Sequence, residues 1–178
     1  RRGRRIVFEG GCVDVNGQGA ALTTEECLLD PVVQARNPGL GRGDMERVLR
    51  DHLGVDTVVW LGRGIAGDDT HGHVDDTARF VAPHTVVAAT ETDPSDVNHA
   101  PLVENLTRLR QARVSGRRLT VVPIPMPRPL WFGTQRLPAS YLNFYMANGL
   151  VVVPTFNDPA DRVALSRLAD LFPDREVV

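Results

Sequence analysis

Asp93-Pro94-Ser95-Asp96 is followed 65 residues later by Asp158-Pro159-Ala160-Asp161. Both tetrapeptides place aspartate before proline, a pair typical of helix starts, where aspartate caps free N–H groups and proline fits the first turn. They predict helices over residues 98–113 and 159–172. Because the two motifs recur at a fixed distance, they indicate a structural repeat of about 65 residues.

Working outward, each predicted helix follows two strands and precedes a third. The predicted strands cover residues 6–8, 12–15, 20–24, 57–61, 77–81, 85–90, 119–124, 140–145 and 150–154, and another begins at the end of the chain. A helix between residues 44 and 53 is predicted from Asp44 as cap, from Met45, Val48, Leu49 and Leu53 as its apolar face, and from Gly54 as its end. The last helix is expected to bury Val163, Leu165, Leu168 and Leu171. One ββαβ unit cannot cover both faces of its own sheet, so the pattern predicts an α/β fold of radially repeated units. An ordinary mixed α/β layer protein is the alternative.

Composition restricts the classes of function. The 178 residues carry a formal charge of −2, and 6% of them are aromatic, which argues against binding nucleic acid. The sequence contains no apolar run of the roughly 20 residues that a membrane helix needs and no signal-like start, so we expect a cytoplasmic protein without a membrane partner. The two cysteines, Cys12 and Cys27, lack the spacing of a thiolate metal site or a disulfide framework.

The segment 67–76, Gly-Asp-Asp-Thr-His-Gly-His-Val-Asp-Asp, holds two histidines and four carboxylates. In extended backbone, His73 and Asp75 would point to the same side, placing an imidazole and a carboxylate in one pocket. A solvated acidic loop is one alternative. Another is a metal site like the HxHxD run of metallo-β-lactamase-like hydrolases, although Asp76 stands where that pattern continues with histidine.

Two further motifs carry polar groups near predicted strands. Phe8-Glu9-Gly10-Gly11 ends a strand in a carboxylate, and its glycines permit close backbone approach. Asn143 lies among the aromatic residues of segment 139–149, where a buried amide must find partners. Each motif also has a structural interpretation, with Glu9 in solvent and Asn143 supporting the fold.

Four segments together resemble the agmatine deiminase family, which also includes bacterial peptidylarginine deiminases. They are Phe8-Glu9-Gly10-Gly11, residues 22–29 (Leu-Thr-Thr-Glu-Glu-Cys-Leu-Leu), Gly72-His73-Val74-Asp75 and residues 140–145 (Ser-Tyr-Leu-Asn-Phe-Tyr). The resemblance implies the pentein fold of the guanidino-group-modifying superfamily, a propeller of five ββαβ blades. About three blades would be present in a single partial domain over 1–178, at about 1–62, 63–125 and 126–178.

The resemblance also implies a chemistry. A cysteine attacks the guanidinium carbon, His73 acts as acid and base, Asp75 binds the guanidinium, and Glu9 orients His73 or the substrate, while Asn143 is a weaker candidate for binding substrate. Agmatine and water would give N-carbamoylputrescine and ammonia through a thiouronium intermediate, without metal or organic cofactor. In the family the nucleophilic cysteine lies beyond the segment that ends here at Val178, and neither Cys12 nor Cys27 matches it. A further substrate-binding aspartate lies before the Glu-Gly-Gly motif. We therefore expect a chain that is incomplete at both ends and inactive alone.

The substrate is left open. His71 stands where agmatine deiminases often carry aspartate, so peptidylarginine is the alternative to a small guanidine such as agmatine. Open blade edges predict that the chain associates with other chains, for example as a homo-oligomer. A noncatalytic module that binds guanidino compounds or assembles with a partner is the alternative from another class.

Overall fold

The computed structural model describes residues 5–178, in which three three-stranded sheets follow one another along the chain. In each sheet the first two strands are antiparallel, and the third runs parallel to the second after a helical crossover. This is the predicted ββαβ order of an α/β protein. Residues 1–4, at the start of the predicted first blade, lie outside the described residues.

The observed strands lie closest to their predicted bounds in the most apolar segments of the chain. The first sheet contains β1 (Asp14–Val15), β2 (Ala20–Thr24) and β3 (Thr57–Leu61). The second contains β4 (Ala78–Ala82), β5 (Thr85–Thr90) and β8 (Thr120–Pro125), and between β5 and β8 lies a small hairpin of β6 (Arg113–Val114) and β7 (Arg117–Arg118). A second hairpin, β9 (Trp131–Phe132) and β10 (Gln135–Arg136), precedes the third sheet of β11 (Tyr145–Ala147), β12 (Leu150–Val152) and β13 (Glu176–Val177).

Four α-helices make the crossovers: α1 (Glu25–Leu29), α2 (Arg42–Leu53), α3 (His99–Gln111) and α4 (Pro159–Leu171). Helix α2 ends as predicted at Gly54, whose φ of 65° is readily adopted only by a residue without a side chain. Its cap is Gly41 rather than Asp44. Asp44 lies one turn inside, where its carboxylate accepts the Gly41 N–H at 3.1 Å.

The two Asp-Pro motifs differ in structure. Asp158 caps α4 by accepting the Ala160 N–H at 2.9 Å, and Asp161 accepts the Asp158 N–H at 3.2 Å. Asp93 instead closes a turn with Ser95, and α3 begins only at His99. The prediction that Asp93-Pro94-Ser95-Asp96 opens a helix is therefore wrong, although the helix itself exists.

Four smaller predictions are also wrong. Residues 6–8 belong to no strand, and of the predicted strand at 140–145 only Tyr145 is in a strand. Val163 is 41% exposed, while its neighbour Ala164 is fully buried. Leu53 is likewise exposed at the end of α2.

Each sheet packs against the next unit along the chain. Leu22 and Leu61 of the first sheet share a cluster with Phe80 and Leu109. The second and third units share another cluster, which contains Val87, Leu102, Leu142, Phe144 and Leu168. The two largest clusters therefore lie between units, whereas two smaller ones, around Met45 and around Leu49, lie within the first unit.

A buried ion pair joins segments of all three units. Arg79 donates to Asp14 at 2.6 Å and to the carbonyl oxygens of Leu142 and Phe144 at 3.2 and 3.0 Å. Asp14 also accepts the Phe80 N–H. This contact fixes the relative positions of the segments that carry the site.

Among the helices of residues 5–178, none combines the length and apolar character needed to cross a membrane.

Candidate active site

A loop over residues 67–73, which we call the histidine loop, is shaped by Asp68. The Asp68 carboxylate accepts the N–H groups of Thr70, Gly72 and His73 at 2.7, 2.8 and 3.0 Å, and also the Thr70 hydroxyl. Burial opposes ionisation, but these hydrogen bonds hold the pKa of the Asp68 carboxyl below its ordinary value. Asp68 received no role from the sequence, although an aspartate two residues before threonine is a common turn signal.

Thr24 anchors the histidine loop from below. It lies at the end of β2, where its hydroxyl caps α1 by accepting the Cys27 N–H at 3.0 Å and donates to the carbonyl oxygen of Gly72. The segment Leu22–Leu29 therefore has a structural task, which is to attach the loop to the first sheet.

His73, Glu9 and Asp75 converge although the predicted backbone is wrong at Asp75. Residues Val74–Asp76 form a turn of 3₁₀-helix rather than extended chain. The His73 Nε2 nevertheless lies 2.7 Å from the Glu9 Oε2. A methyl group on Gly11 would lie 2.3 Å from the His73 Nδ1 and 2.7 Å from the Asp75 Oδ2, so both side chains meet the Gly11 backbone.

Asp75 carries a buried carboxylate oxygen that can accept a hydrogen bond. Its Oδ1 is buried and has no hydrogen-bond partner within residues 5–178. Burial raises the pKa of the Asp75 carboxyl, and the charge of nearby His73 opposes that rise. A buried acceptor without a partner is costly, which favours a cationic donor at this position.

Glu9 is held by Arg36, a residue that the sequence did not single out. The Arg36 Nε and Nη2 lie 2.8 and 2.7 Å from the Glu9 Oε2. Arg36 also donates to the carbonyl oxygens of Cys27 and Thr70. The hydrogen bond from Arg36 is the main cause that lowers the pKa of Glu9, against the effect of burial and with help from His73.

Asn143 is exposed, not buried as predicted, and it holds Asp76. Its Nδ2 donates to the Asp76 Oδ1 at 3.0 Å, and the Ser140 hydroxyl donates to the Asp76 carbonyl oxygen at 2.7 Å. Burial raises the pKa of the Asp76 carboxyl to about 6. Segment 140–143 thus ties the third unit to the site. Substrate contact by Asn143 stays a prediction.

His71 is turned toward another loop. Its φ is 61°, and its Nε2 lies 3.0 Å from the Asp30 Oδ2. Asp30 also accepts the N–H groups of Val32 and Val33. The His71 side chain therefore links the histidine loop to the segment after α1.

One group of side chains could hold a metal ion. Ligand atoms of Glu9, Cys27 and His73 lie within 4.8 Å of one another. However, the Arg36 guanidinium is already bonded to Glu9, and its positive charge opposes a cation there. A hydrogen bond with Cys12, together with burial, raises the pKa of Cys27 and keeps it a thiol. These donors fit a proton-transfer site better than a metal site.

Known proteins show which family the chain belongs to. The family model of the Porphyromonas-type peptidyl-arginine deiminase matches residues 1–178. Agmatine deiminase of Pseudomonas putida (strain F1) is 43% identical over 192 aligned residues, which cover 97% of this chain and 51% of that protein. A putative agmatine deiminase of Latilactobacillus sakei is 41% identical, with 97% and 52% covered.

Solved structures show the same relationship. A putative arginine deiminase from Porphyromonas gingivalis superposes with a TM-score of 0.91 at 44% identity, covering 97% of this chain and 51% of that one. A cysteine-to-serine variant of C. jejuni agmatine deiminase with substrate bound gives 0.90 at 30% identity, covering 98% and 50%. The chain spans about half the length of the relatives it matches. It belongs, as its motifs predicted, to the Porphyromonas-type peptidyl-arginine deiminase family, whose solved members have the pentein fold.

Proposed function

We propose that the full-length protein carrying this chain hydrolyses a guanidinium group, with His73 moving protons and with Asp75 and Glu9 binding the cation. The observation that carries the proposal is the buried, unpartnered Asp75 Oδ1 beside an imidazole that is bonded to Glu9. A planar guanidinium offers N–H groups in a fixed fork that carboxylates match, and two carboxylates offset the cost of burying its charge.

The proposed reaction has two stages. A thiolate attacks the guanidinium carbon and forms a C–S bond; the C–N bond then breaks, and ammonia leaves with a proton from His73. Water next attacks the thiouronium carbon and gives one proton to neutral His73. The C–S bond then breaks to release the urea product and the thiolate, and the second proton of the water passes to solvent, where the released ammonia takes it up as ammonium.

The thiolate must come from elsewhere in the full-length protein. Cys12 and Cys27 are both buried free thiols, and the Cys12 Sγ donates to the Glu9 carbonyl oxygen at 2.8 Å. Cys27 lies close to His73 but is held as a thiol beneath the site. We therefore assign the nucleophile to neither and expect no turnover by the 178-residue chain alone.

Agmatine is the proposed substrate, with N-carbamoylputrescine and ammonia as products and no cofactor. Support comes from relatives named agmatine deiminase at 39–43% identity. Peptidylarginine is the competing substrate, because the family model carries that description. We also propose that the three sheets are blades of a five-bladed propeller, divided at about 1–62, 63–125 and 126–178.

The test is ammonia release by the full-length protein from agmatine, free arginine and an arginine-containing peptide. We expect agmatine to be preferred and His73→Ala to lower kcat by about 10³-fold or more, since it removes the proton carrier. His52→Ala supplies the matched control, because His52 is exposed on α2. Preference for the peptide would replace agmatine as substrate. Absence of ammonia from every guanidine would refute the function.

A further inference from the structure

Arg36 lies in the loop between α1 and α2, yet its side chain is only 5% exposed. It contacts three separate segments of the site: Glu9 near the N-terminus, Cys27 in α1, and Thr70 in the histidine loop. A buried guanidinium that joins three segments acts on their relative positions as well as on charge.

Asn37, the next residue, holds the segment that precedes Glu9 without contacting the Glu9 carboxylate. Asn37 accepts the Val7 N–H at 3.0 Å through Oδ1 and donates to the Val7 carbonyl oxygen at 2.8 Å through Nδ2. Asn37 therefore fixes the backbone two residues before Glu9, while Arg36 fixes the Glu9 side chain. The two adjacent residues separate a structural task from an electrostatic one.

The contacts divide the two oxygens of Glu9. Oε2 accepts from both nitrogens of Arg36 and lies 2.7 Å from the His73 Nε2. Oε1 has no hydrogen-bond partner in the described part of the chain, and the Glu9 side chain is 40% exposed. The protein thus uses one oxygen and leaves the other accessible.

We propose that Arg36 is a positioning residue whose ion pair with Glu9 directs the Glu9 Oε2 to His73 and leaves Oε1 for the substrate guanidinium. The proposal rests on the deiminase function proposed above. Arg36 also repels a cationic substrate, so a guanidinium at this position is electrostatically unfavourable unless it has another role. That cost is consistent with a role in orienting Glu9.

The experiment compares pH profiles of kcat/KM for full-length variants. The groups around Glu9 are Arg36, His73 and the thiols of Cys12 and Cys27. Arg36→Gln removes the main cause that lowers the Glu9 pKa, so that pKa should rise and Glu9 should take up a proton at higher pH. The acid limb of the kcat/KM profile should therefore move to higher pH. On the plateau of that profile, kcat/KM should fall by about 10- to 100-fold.

Two variants separate charge from position. Arg36→Lys keeps the charge but cannot reach Glu9, Thr70 and Cys27 together, so its acid limb should stay near that of the wild type while kcat falls. Asn37→Ala should lower the melting temperature and leave the acid limb in place. An unmoved acid limb in Arg36→Gln, matching Asn37→Ala, would show a merely structural role and overturn the proposal.

The remaining outcomes are also decisive. If Arg36→Gln does not fold, Arg36→Lys decides, and a wild-type kcat in that variant overturns the proposal. If the wild type releases no ammonia from any guanidine, the deiminase function fails and this inference fails with it. An active wild type with unaffected Arg36 variants refutes the inference alone.

Discussion

Gly11 shows how a missing side chain can build a site. Its backbone is the surface on which His73 and Asp75 meet, at distances too short for any Cβ. Gly10, its neighbour in the same 3₁₀ turn, would carry a Cβ with no atom within 4 Å. The two glycines of one motif therefore have different tasks, and only Gly11 is required by the positions of His73 and Asp75.

We expect Gly11→Ala to lower kcat/KM by on the order of 10²-fold, because the methyl group must push His73 or Asp75 from its position. Steady-state assays of the full-length protein measure this. Gly10→Ala is the matched control and should keep activity within about twofold. Equal losses in both variants would show that the close approach at Gly11 has no catalytic importance.

At this scale the sequence predicted Glu9, His73 and Asp75 as one group but for a partly wrong reason. Alternation along an extended chain does not apply to Asp75, which lies in a 3₁₀ turn. The residues meet because Gly11 admits both. Arg36 could not be predicted, since its role depends on a partner 27 residues away. Asp68 carries a local turn signal, but that signal does not reveal its bonds to the Gly72 and His73 N–H groups.

Helices α3 and α4 show what a local motif does and does not determine. Both helices begin and end within a few residues of their predicted bounds. The same Asp-Pro-x-Asp pattern caps α4 but makes a separate turn before α3, where Asn98 instead accepts the Ala66 N–H at 2.7 Å. Asn98 stands at the N-cap of α3 and makes a tertiary contact with the segment before the histidine loop, which a local signal cannot report.

Substitution of the two aspartates tests this difference between elements. Asp158→Ala should reduce the free energy of unfolding by about 1 kcal/mol, because it removes the cap of α4. Asp93→Ala should leave the denaturation midpoint unchanged, since Asp93 closes only an exposed turn. Urea denaturation of the full-length protein measures both. A larger loss for Asp93→Ala would mean that its turn supports α3 after all.

Strand prediction failed where the core is formed by neighbouring units. Tyr141 and Leu142 are buried in an irregular segment, and the Tyr141 hydroxyl donates to Asp161 at 2.6 Å. Apolar and aromatic residues in a row are typical of a strand. Here they instead fill the space between the second and third units. Predicting this from the sequence would require knowing what the segment packs against.

At the scale of the whole molecule, the three units are joined by apolar clusters and by the Arg79 contact. The sequence predicted the repeat and the need for units to cover one another, but not the ion pair between them. Asp14 and Arg79 belong to different units and lie 65 residues apart, so no local pattern links them. Burial raises the pKa of Asp14, against the opposing charge of Arg79, which shows that its ionisation depends on this partner.

Arg79→Met should therefore destabilise the molecule by about 3–5 kcal/mol, because it strands the buried Asp14 carboxylate and frees the carbonyl oxygens of Leu142 and Phe144. Urea denaturation of the full-length protein provides the measurement. Adding Asp14→Asn should recover part of the loss, since the stranded charge is then removed. Arg128→Met is the control, because the Arg128 side chain is 76% exposed in its pair with Asp158 and surface pairs contribute little. If Arg79→Met were as stable as Arg128→Met, apolar packing alone would hold the three units together.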